Sequence, residues 1–481
     1  MRRTVLFAAL GAMTATTLLA PNAAATGGLR WGACPADLRS TTLQCATVQV
    51  PLDYRDPGGR KIGLTISRLA STNPEKRRGV LLTNPGGPGG PGLEMPGMLV
   101  LPGLPGTLPQ NVRDTYDVIG IDPRGVGHSS PVTCDLTKAQ LELSNMPYAN
   151  TPADVVKQAK VAKEEAKQCA SSKSAWMLPY VTTANTARDL DQVRKALGEE
   201  KISYLGVSYG TYLGAVYTTM FPQRSDRFVL DSNLGSGGYD IEAMHGFARG
   251  MQDRFPDFAK YAAAHPEFGL GTTPAHVTAK FFALAARLDR KPIGGIDGSI
   301  FRTLTFEHVY LDAQFPQLAK AWQSLDRGVA PVPGQMKYPE NLLATRLHVM
   351  CGDSSWPRSV GSYQADVAVS RGEYPMIGAG AANIGPCAYW APPKEPKVRI
   401  SDRGPSNVLM VQNLRDPATP LSGARDLRRA FGQRARMVTV DQGGHGAYAF
   451  AANQCANAVV NDYLATGKRI GQDRFCAAES R

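Results

Sequence analysis

Apolar and β-branched residues fall in short, nearly unbroken runs, separated by turn-forming residues, over much of the chain. Eight stand out: CATVQVPL (45–52), KIGLTISRLA (61–70), GVLLTNPGG (79–87), YDVIGIDPRG (116–125), KISYLGVSYG (201–210), DRFVLDS (226–232), SNVLMVQNLRD (406–416) and ARMVTVDQGG (435–444). A strand that is apolar on both faces is buried on both faces, the condition of a parallel sheet covered by helices. Segments of helical period lie between several runs, among them 152–169 and 186–198. In the second, Ala187, Leu190, Val193 and Leu197 share a face and Gly198 is a stop signal. The first two runs alternate instead and are joined by the turn-rich DYRDPGGR, which predicts an antiparallel hairpin at the sheet edge. Between Asp231 and Ser406 the strand–helix rhythm stops, and helical periods separated by Gly/Pro joints take over. The expected architecture is α/β: a mostly parallel sheet with helices on both faces, formed by 26–232 and 401–481, with a mostly helical cap (233–400) inserted before the last two strands.

The first residues change the picture of where such a protein works. Arg2 and Arg3 precede a mostly apolar stretch from Val5 to Leu19, and Ala23-Ala24-Ala25 supplies small residues for cleavage. This predicts a signal peptide over 1–25, cut near Ala25, and a secreted product. No later segment has the apolar length of a membrane span, so stable membrane insertion is not expected. Eight cysteines, an even number with no Cys-x-x-Cys pair, suit an oxidising compartment. Pairing of sequence neighbours is expected: Cys34–Cys45, Cys134–Cys169, Cys351–Cys387 and Cys455–Cys476. The net charge of +12 is scattered, without an aromatic-interleaved basic stripe, which argues against a nucleic-acid partner. Such a surface gives at most weak association with an anionic cell wall. A monomer is expected.

Candidate chemistry centres on Gly206-Val207-Ser208-Tyr209-Gly210. Gly supplies 49 of 481 residues, so the bare motif can arise by chance and its context must decide. A strand-forming run precedes Ser208 and an apolar helical run follows it. That is the setting of a nucleophile turn, in which tightness requires small neighbours and the N–H after the serine joins an oxyanion site. The order serine, acid, histidine then points to Asp416 and His445. His445 follows the last predicted strand, and Asp416 ends the one before it. Asp231, at the end of DRFVLDS, is the rival acid.

The loop NPGGPGGPG (84–92) formally contains Gly-x-Gly-x-x-Gly at Gly87, Gly89 and Gly92. Pro88 and Pro91 remove backbone donors that a dinucleotide would need, and no strand-end acid follows about twenty residues on. The loop instead suits the second oxyanion donor, Gly87 N–H, beside Tyr209 N–H. His-Glu-x-x-His and the phosphate-binding Gly-x-x-x-x-Gly-Lys-Ser/Thr pattern are missing from the sequence. Acyl transfer to serine needs no cofactor, and none is expected.

Taken together, VPLDYRDP (50–57), NPGGPGGPG (84–92), YDVIGIDPRGVGHSSP (116–131), LGVSYGTYLGAVY (205–217), DPATP (416–420) and GGHG (443–446) resemble, in order, the signatures of secreted bacterial tripeptidyl aminopeptidases. These are α/β-hydrolase serine peptidases related to prolyl iminopeptidases. Pro85 stands where prolyl iminopeptidases carry a His, as in the tripeptidyl relatives. The resemblance covers essentially the whole chain after the signal. It implies release of tripeptides, or of proline-containing tri- or tetrapeptides, from peptides with a free N-terminus. Such an enzyme needs a carboxylate for the substrate ammonium. Asp353 is the candidate, held by a Cys351–Cys387 bridge, with Glu242 and Asp253 competing. A secreted carboxylesterase using the same triad is the alternative. A catalytically inert binding protein is disfavoured by the intact Ser208, Asp416 and His445.

Overall fold

Each of the eight apolar runs forms a strand, and two shorter strands extend the sheet at its edges. The computed structural model describes residues 29–479 apart from 41, 102–106, 142–145, 332–337, 449–450 and 452. The expected signal peptide lies outside the described residues. The strands are β1 (Gly32–Ala33), β2 (Gln44–Pro51), β3 (Lys61–Leu69), β4 (Gly79–Asn84), β5 (Tyr116–Ile121), β6 (Ile202–Val207), β7 (Ser225–Asp231), β8 (Val408–Arg415), β9 (Ala435–Gly443) and β10 (Arg474–Cys476). They form one sheet in the order β1-β2-β3-β5-β4-β6-β7-β8-β9-β10. Pairing is antiparallel from β1 to β5 and parallel from β5 to β10. The expected hairpin is β2–β3, in register from Gln44↔Arg68 to Pro51↔Lys61.

The central strands read as unbroken apolar runs because β4, β5 and β6 are buried at every position. Alternate residues serve opposite faces, as the pleat requires. Val80 and Leu82 of β4 join one core cluster, whereas Leu81 joins the other. The helices of eight or more residues, among the described residues, are α1 (Pro152–Ser171), α2 (Thr183–Ala196), α3 (Tyr209–Met220), α4 (Ile241–Ala263), α5 (Pro274–Arg290), α6 (Gly298–His308), α7 (Phe315–Asp326), α8 (Glu340–Asp353), α9 (Val360–Glu373), α10 (Leu421–Phe431) and α11 (Gln454–Thr466). α11 covers one face, packing Ala456, Val460 and Leu464 against Val438 and Val440. The opposite face is continuous with the core of helices α4–α7. There Trp322 lies 5.1–6.1 Å, centroid to centroid, from Phe255, Phe258, Phe281 and Phe301. Sequence supplied the start of several of these helices: Asp240, Thr273 and Asp297 each accept a hydrogen bond from the first turn.

The arrangement is that of the α/β-hydrolases. All eight cysteines are paired as sequence neighbours: Cys34–Cys45, Cys134–Cys169, Cys351–Cys387 and Cys455–Cys476. The first ties β1 to β2, the third ties α8 to the segment after α9, and the last ties α11 to β10. Among the described residues, no helix is long and apolar enough to cross a membrane.

Candidate active site

The turn between β6 and α3 forces Ser208 into a positive φ of 60° with ψ −126°. A non-glycine residue is strained there and persists only where its surroundings fix it. Ser208 N–H donates to Asp231 O (3.0 Å), and Ser208 O accepts from Thr211 N (2.9 Å) and Thr211 Oγ1 (2.6 Å). A Cβ on Gly206 would lie 2.4 Å from Gly210 O, and one on Gly210 would lie 2.7 Å from Asn84 O. Gly206 thus lets the end of β6 touch the start of α3, and Gly210 lets α3 touch the end of β4. Ser208 precedes α3 without capping it, so its hydroxyl is not spent on a backbone amide.

One amide follows this serine directly, and the loop that carries the other expected donor packs beside it. Tyr209 is the first residue of α3, where an N–H has no acceptor within the helix. The loop after β4 packs directly on the turn. A Cβ at Gly86 would meet Val207 O at 2.5 Å, Ser208 Cβ at 2.9 Å and Tyr209 N at 3.0 Å. Asn84 Oδ1 accepts from Gly86 N (3.0 Å) and Gly86 O from Gly90 N (3.2 Å), which fixes the loop. Gly87 follows at φ 113° and lines the same cavity as Ser208.

His445 leaves β9 on a loop clamped from several sides. Its N–H donates to Tyr310 O (2.7 Å), and its ring meets the Tyr310 ring edge-on at 5.2 Å. Asn413 Nδ2 donates to Gly444 O (2.9 Å), and Gly446 N donates to Ser232 Oγ (2.8 Å). Asp231 accepts from Ala447 N (2.7 Å) and Tyr448 N (3.0 Å). The rival acid thus holds the backbone beyond the histidine, and it is Asp416 that the fold brings to the ring. His445 Nδ1 stands 3.0 Å from both Asp416 carboxylate oxygens. Asp416 is fully buried and pre-set by Ala418 N, Thr419 N and Thr419 Oγ1 at 2.9–3.0 Å. Burial pushes the imidazolium down, but the Asp416 charge and hydrogen bond, with Asp231 further off, outweigh it and hold the His445 pKa above its ordinary value. The other ring edge of His445 makes no hydrogen bond to Ser208 among the described residues; in unliganded sites that contact often tightens only with substrate.

Ser208, His445 and Gly87 open on one cavity of about 710 Å³. Its other walls include Tyr239, α4 (Phe247), α6 (Phe306, Glu307) and α8 (Leu342, Arg346). Asp353, expected at the substrate ammonium, does not belong to it. It ends α8, seven residues beyond Arg346 and so about 10 Å further along the helix axis. There it accepts from Thr183 N (2.8 Å) and Thr183 Oγ1 (2.5 Å). Burial pushes its carboxyl up to about 6, against the Thr183 hydrogen bonds and Lys397. Glu242 and Asp253 do not line the cavity either. Among the described lining residues the carboxylate is Glu307, whose Oε1 accepts from Tyr338 Oη at 2.5 Å. Its signal in the sequence was a lone acid in the apolar helical stretch IFRTLTFEHVYL, which periodicity alone assigns to the core.

The model of a family described as "TAP-like protein" matches residues 374–476. Over nearly the whole chain there are stronger likenesses. The tripeptidyl aminopeptidase of Streptomyces lividans is 36% identical, covering 94% of this chain and 87% of its own. Carboxylesterase B of Mycobacterium tuberculosis is 30% identical, with 93% and 89% covered. Serine protease Hip1 of the same organism is 29% identical, with 88% and 85% covered.

Proposed function

The chain belongs to the tripeptidyl aminopeptidase family of α/β-hydrolases, and from that premise we propose that it is a secreted serine exopeptidase releasing tripeptides from free N-termini. The observation that carries this reading is the Asp416–His445 pair, whose histidine lines, with Ser208, a cavity that also holds the Glu307 carboxylate. Ser208 Oγ attacks the scissile carbonyl carbon while its proton passes to His445 Nε2. Asp416 keeps the proton of Nδ1 in place and stabilises the imidazolium. The tetrahedral oxyanion accepts from Gly87 and Tyr209 amides. His445 returns the proton to the leaving nitrogen, the C–N bond breaks, and the peptide's acyl part remains on Ser208. Water, deprotonated by the same histidine, then releases it.

Glu307 pairs with the substrate ammonium, and the cavity walls around it set how many residues fit. A volume of about 710 Å³ is in the range of pockets that enclose a small ligand. Tyr239, Phe247, Phe306 and Tyr310 offer an apolar, aromatic lining suited to proline or other apolar side chains. Four disulfides support export to an oxidising compartment.

The likeness to a carboxylesterase favours a second reading, ester hydrolysis by the same groups. Three substrates separate the two: a free-amine tripeptidyl amide, its N-acetylated form and a simple ester. Cleavage of the first with little of the second supports the exopeptidase. Turnover of the ester alone overturns it.

A further inference from the structure

Three side chains form a continuous chain from the end of α8 to the residue beside the candidate nucleophile. Asp353 accepts both the N–H and the hydroxyl of Thr183, at 2.8 and 2.5 Å. Thr183 Oγ1 in turn lies 2.5 Å from Tyr209 Oη. An ionised carboxylate can only accept, so the Thr183 proton is committed to Asp353 and Tyr209 Oη is the donor in the last link. Burial, with Asp353 nearby, pushes the Tyr209 hydroxyl far above its ordinary range, so it keeps the proton that this link needs.

Ordinary helix capping does not account for this arrangement. α2 already has its cap, since Thr182 accepts from Asn185 N. Any acceptor could take the Thr183 N–H. Asp353 takes the N–H on one carboxylate oxygen and the hydroxyl on the other, which leaves a Thr183 lone pair for Tyr209. Asp353 lies between the electronegative C-terminal end of α8 and the electropositive N-terminal end of α2, whose first amide it accepts. The same helix sends Leu342 and Arg346 into the substrate cavity and is bridged at Cys351 to Cys387.

We propose that Asp353 is a positioning residue for the candidate oxyanion site: acting through Thr183, it fixes the Tyr209 ring and thereby the direction of the Tyr209 backbone N–H. The helix that walls the substrate cavity is thus joined by hydrogen bonds to the nucleophile turn. This rests on the reading of Ser208 as nucleophile.

The test uses Asp353→Asn, Thr183→Val, Thr183→Ser and Tyr209→Phe in the full chain, with Ser208→Ala as reference. Active sites are titrated with a fluorophosphonate, so that kcat and KM on a free-amine tripeptidyl p-nitroanilide refer to competent enzyme, and thermal midpoints are recorded in parallel. Asp353→Asn, Thr183→Val and Tyr209→Phe are each expected to lower kcat by about 10- to 100-fold, the scale of a misplaced catalytic group, with KM nearly unchanged. Thr183→Ser, which keeps the hydroxyl, restores kcat. The double variant Asp353→Asn/Tyr209→Phe is no slower than the slower single one, because both break one chain. Tyr209→Phe removes a single oxygen and decides the matter should Asp353→Asn not fold. Unchanged kcat with a lowered thermal midpoint, or a raised KM alone, overturns the proposal while leaving Ser208 in place. Wild-type turnover by Ser208→Ala overturns it together with the functional reading beneath it.

Discussion

His445 Nδ1 lies 3.0 Å from each carboxylate oxygen of Asp416, and the two residues sit on loops leaving the same ends of the neighbouring parallel strands β8 and β9. Asp416 is already held by Ala418 and Thr419, so the acid is pre-set to receive the ring. Asp416→Asn is therefore expected to cost roughly 10⁴-fold in kcat, by stabilising the wrong tautomer. Asp231→Asn loosens the loop beyond the histidine and is expected to lower the thermal midpoint more than kcat. Steady-state rates and melting curves of the two variants, side by side, check this. Comparable rate losses in both would assign the acid's role wrongly.

The raised pKa of His445 sets a pH profile. The base must be neutral, so kcat/KM is expected to rise with pH through one ionisation centred above the ordinary imidazole value of 6.5. Removing the Asp416 charge brings that midpoint down. The sign for stability is opposite to that for activity. A folded-state pKa above the unfolded one contributes stability that is full below the unfolded value and lost as pH rises through the folded one. A kcat/KM midpoint below 6.5 in the wild type contradicts the geometry.

Glu307→Gln keeps the shape of the side chain and removes its charge. A charged hydrogen bond to an ammonium is worth about 1.5–3 kcal/mol, so KM for free-amine tripeptides is expected to rise roughly 10- to 100-fold while kcat stays near wild type. Hydrolysis of a simple ester is unaffected. Equal losses on both substrates would make Glu307 a structural group.

How far the sequence reveals these features depends on burial. β4, β5 and β6 were legible because residues buried on both faces leave an apolar run that nothing else mimics. β1 and β10 were not: at two and three residues, and largely exposed, they carry no pattern. Ser208, Asp416 and His445 announced themselves through strand ends and turn residues, which are local. Glu307 and Asp353 depend on which way a helix faces after the cap has packed, a long-range outcome. The Cys351–Cys387 bridge expected beside Asp353 is present, but the Asp353 side chain reaches Thr183 of α2, not the cavity.

Contact between the loop after β4 and the nucleophile turn leaves no room for a methyl group. Gly86→Ala would set a Cβ 2.5 Å from Val207 O at φ 94°, and backbone atoms there have to move. At least a tenfold loss of kcat is expected, since the Gly87 amide moves with its neighbour. Gly372→Ala is the control, because its Cβ meets nothing within 4 Å and its helical backbone gains from alanine. Its activity is expected to match wild type, with an equal or higher thermal midpoint.

Acyl transfer through Ser208 is tested most directly by mass measurement of enzyme quenched during turnover of a free-amine tripeptidyl ester. One tripeptidyl adduct is expected, on the proteolytic fragment that contains Ser208, and none in Ser208→Ala. An adduct on another residue, or undiminished turnover by Ser208→Ala, would contradict it.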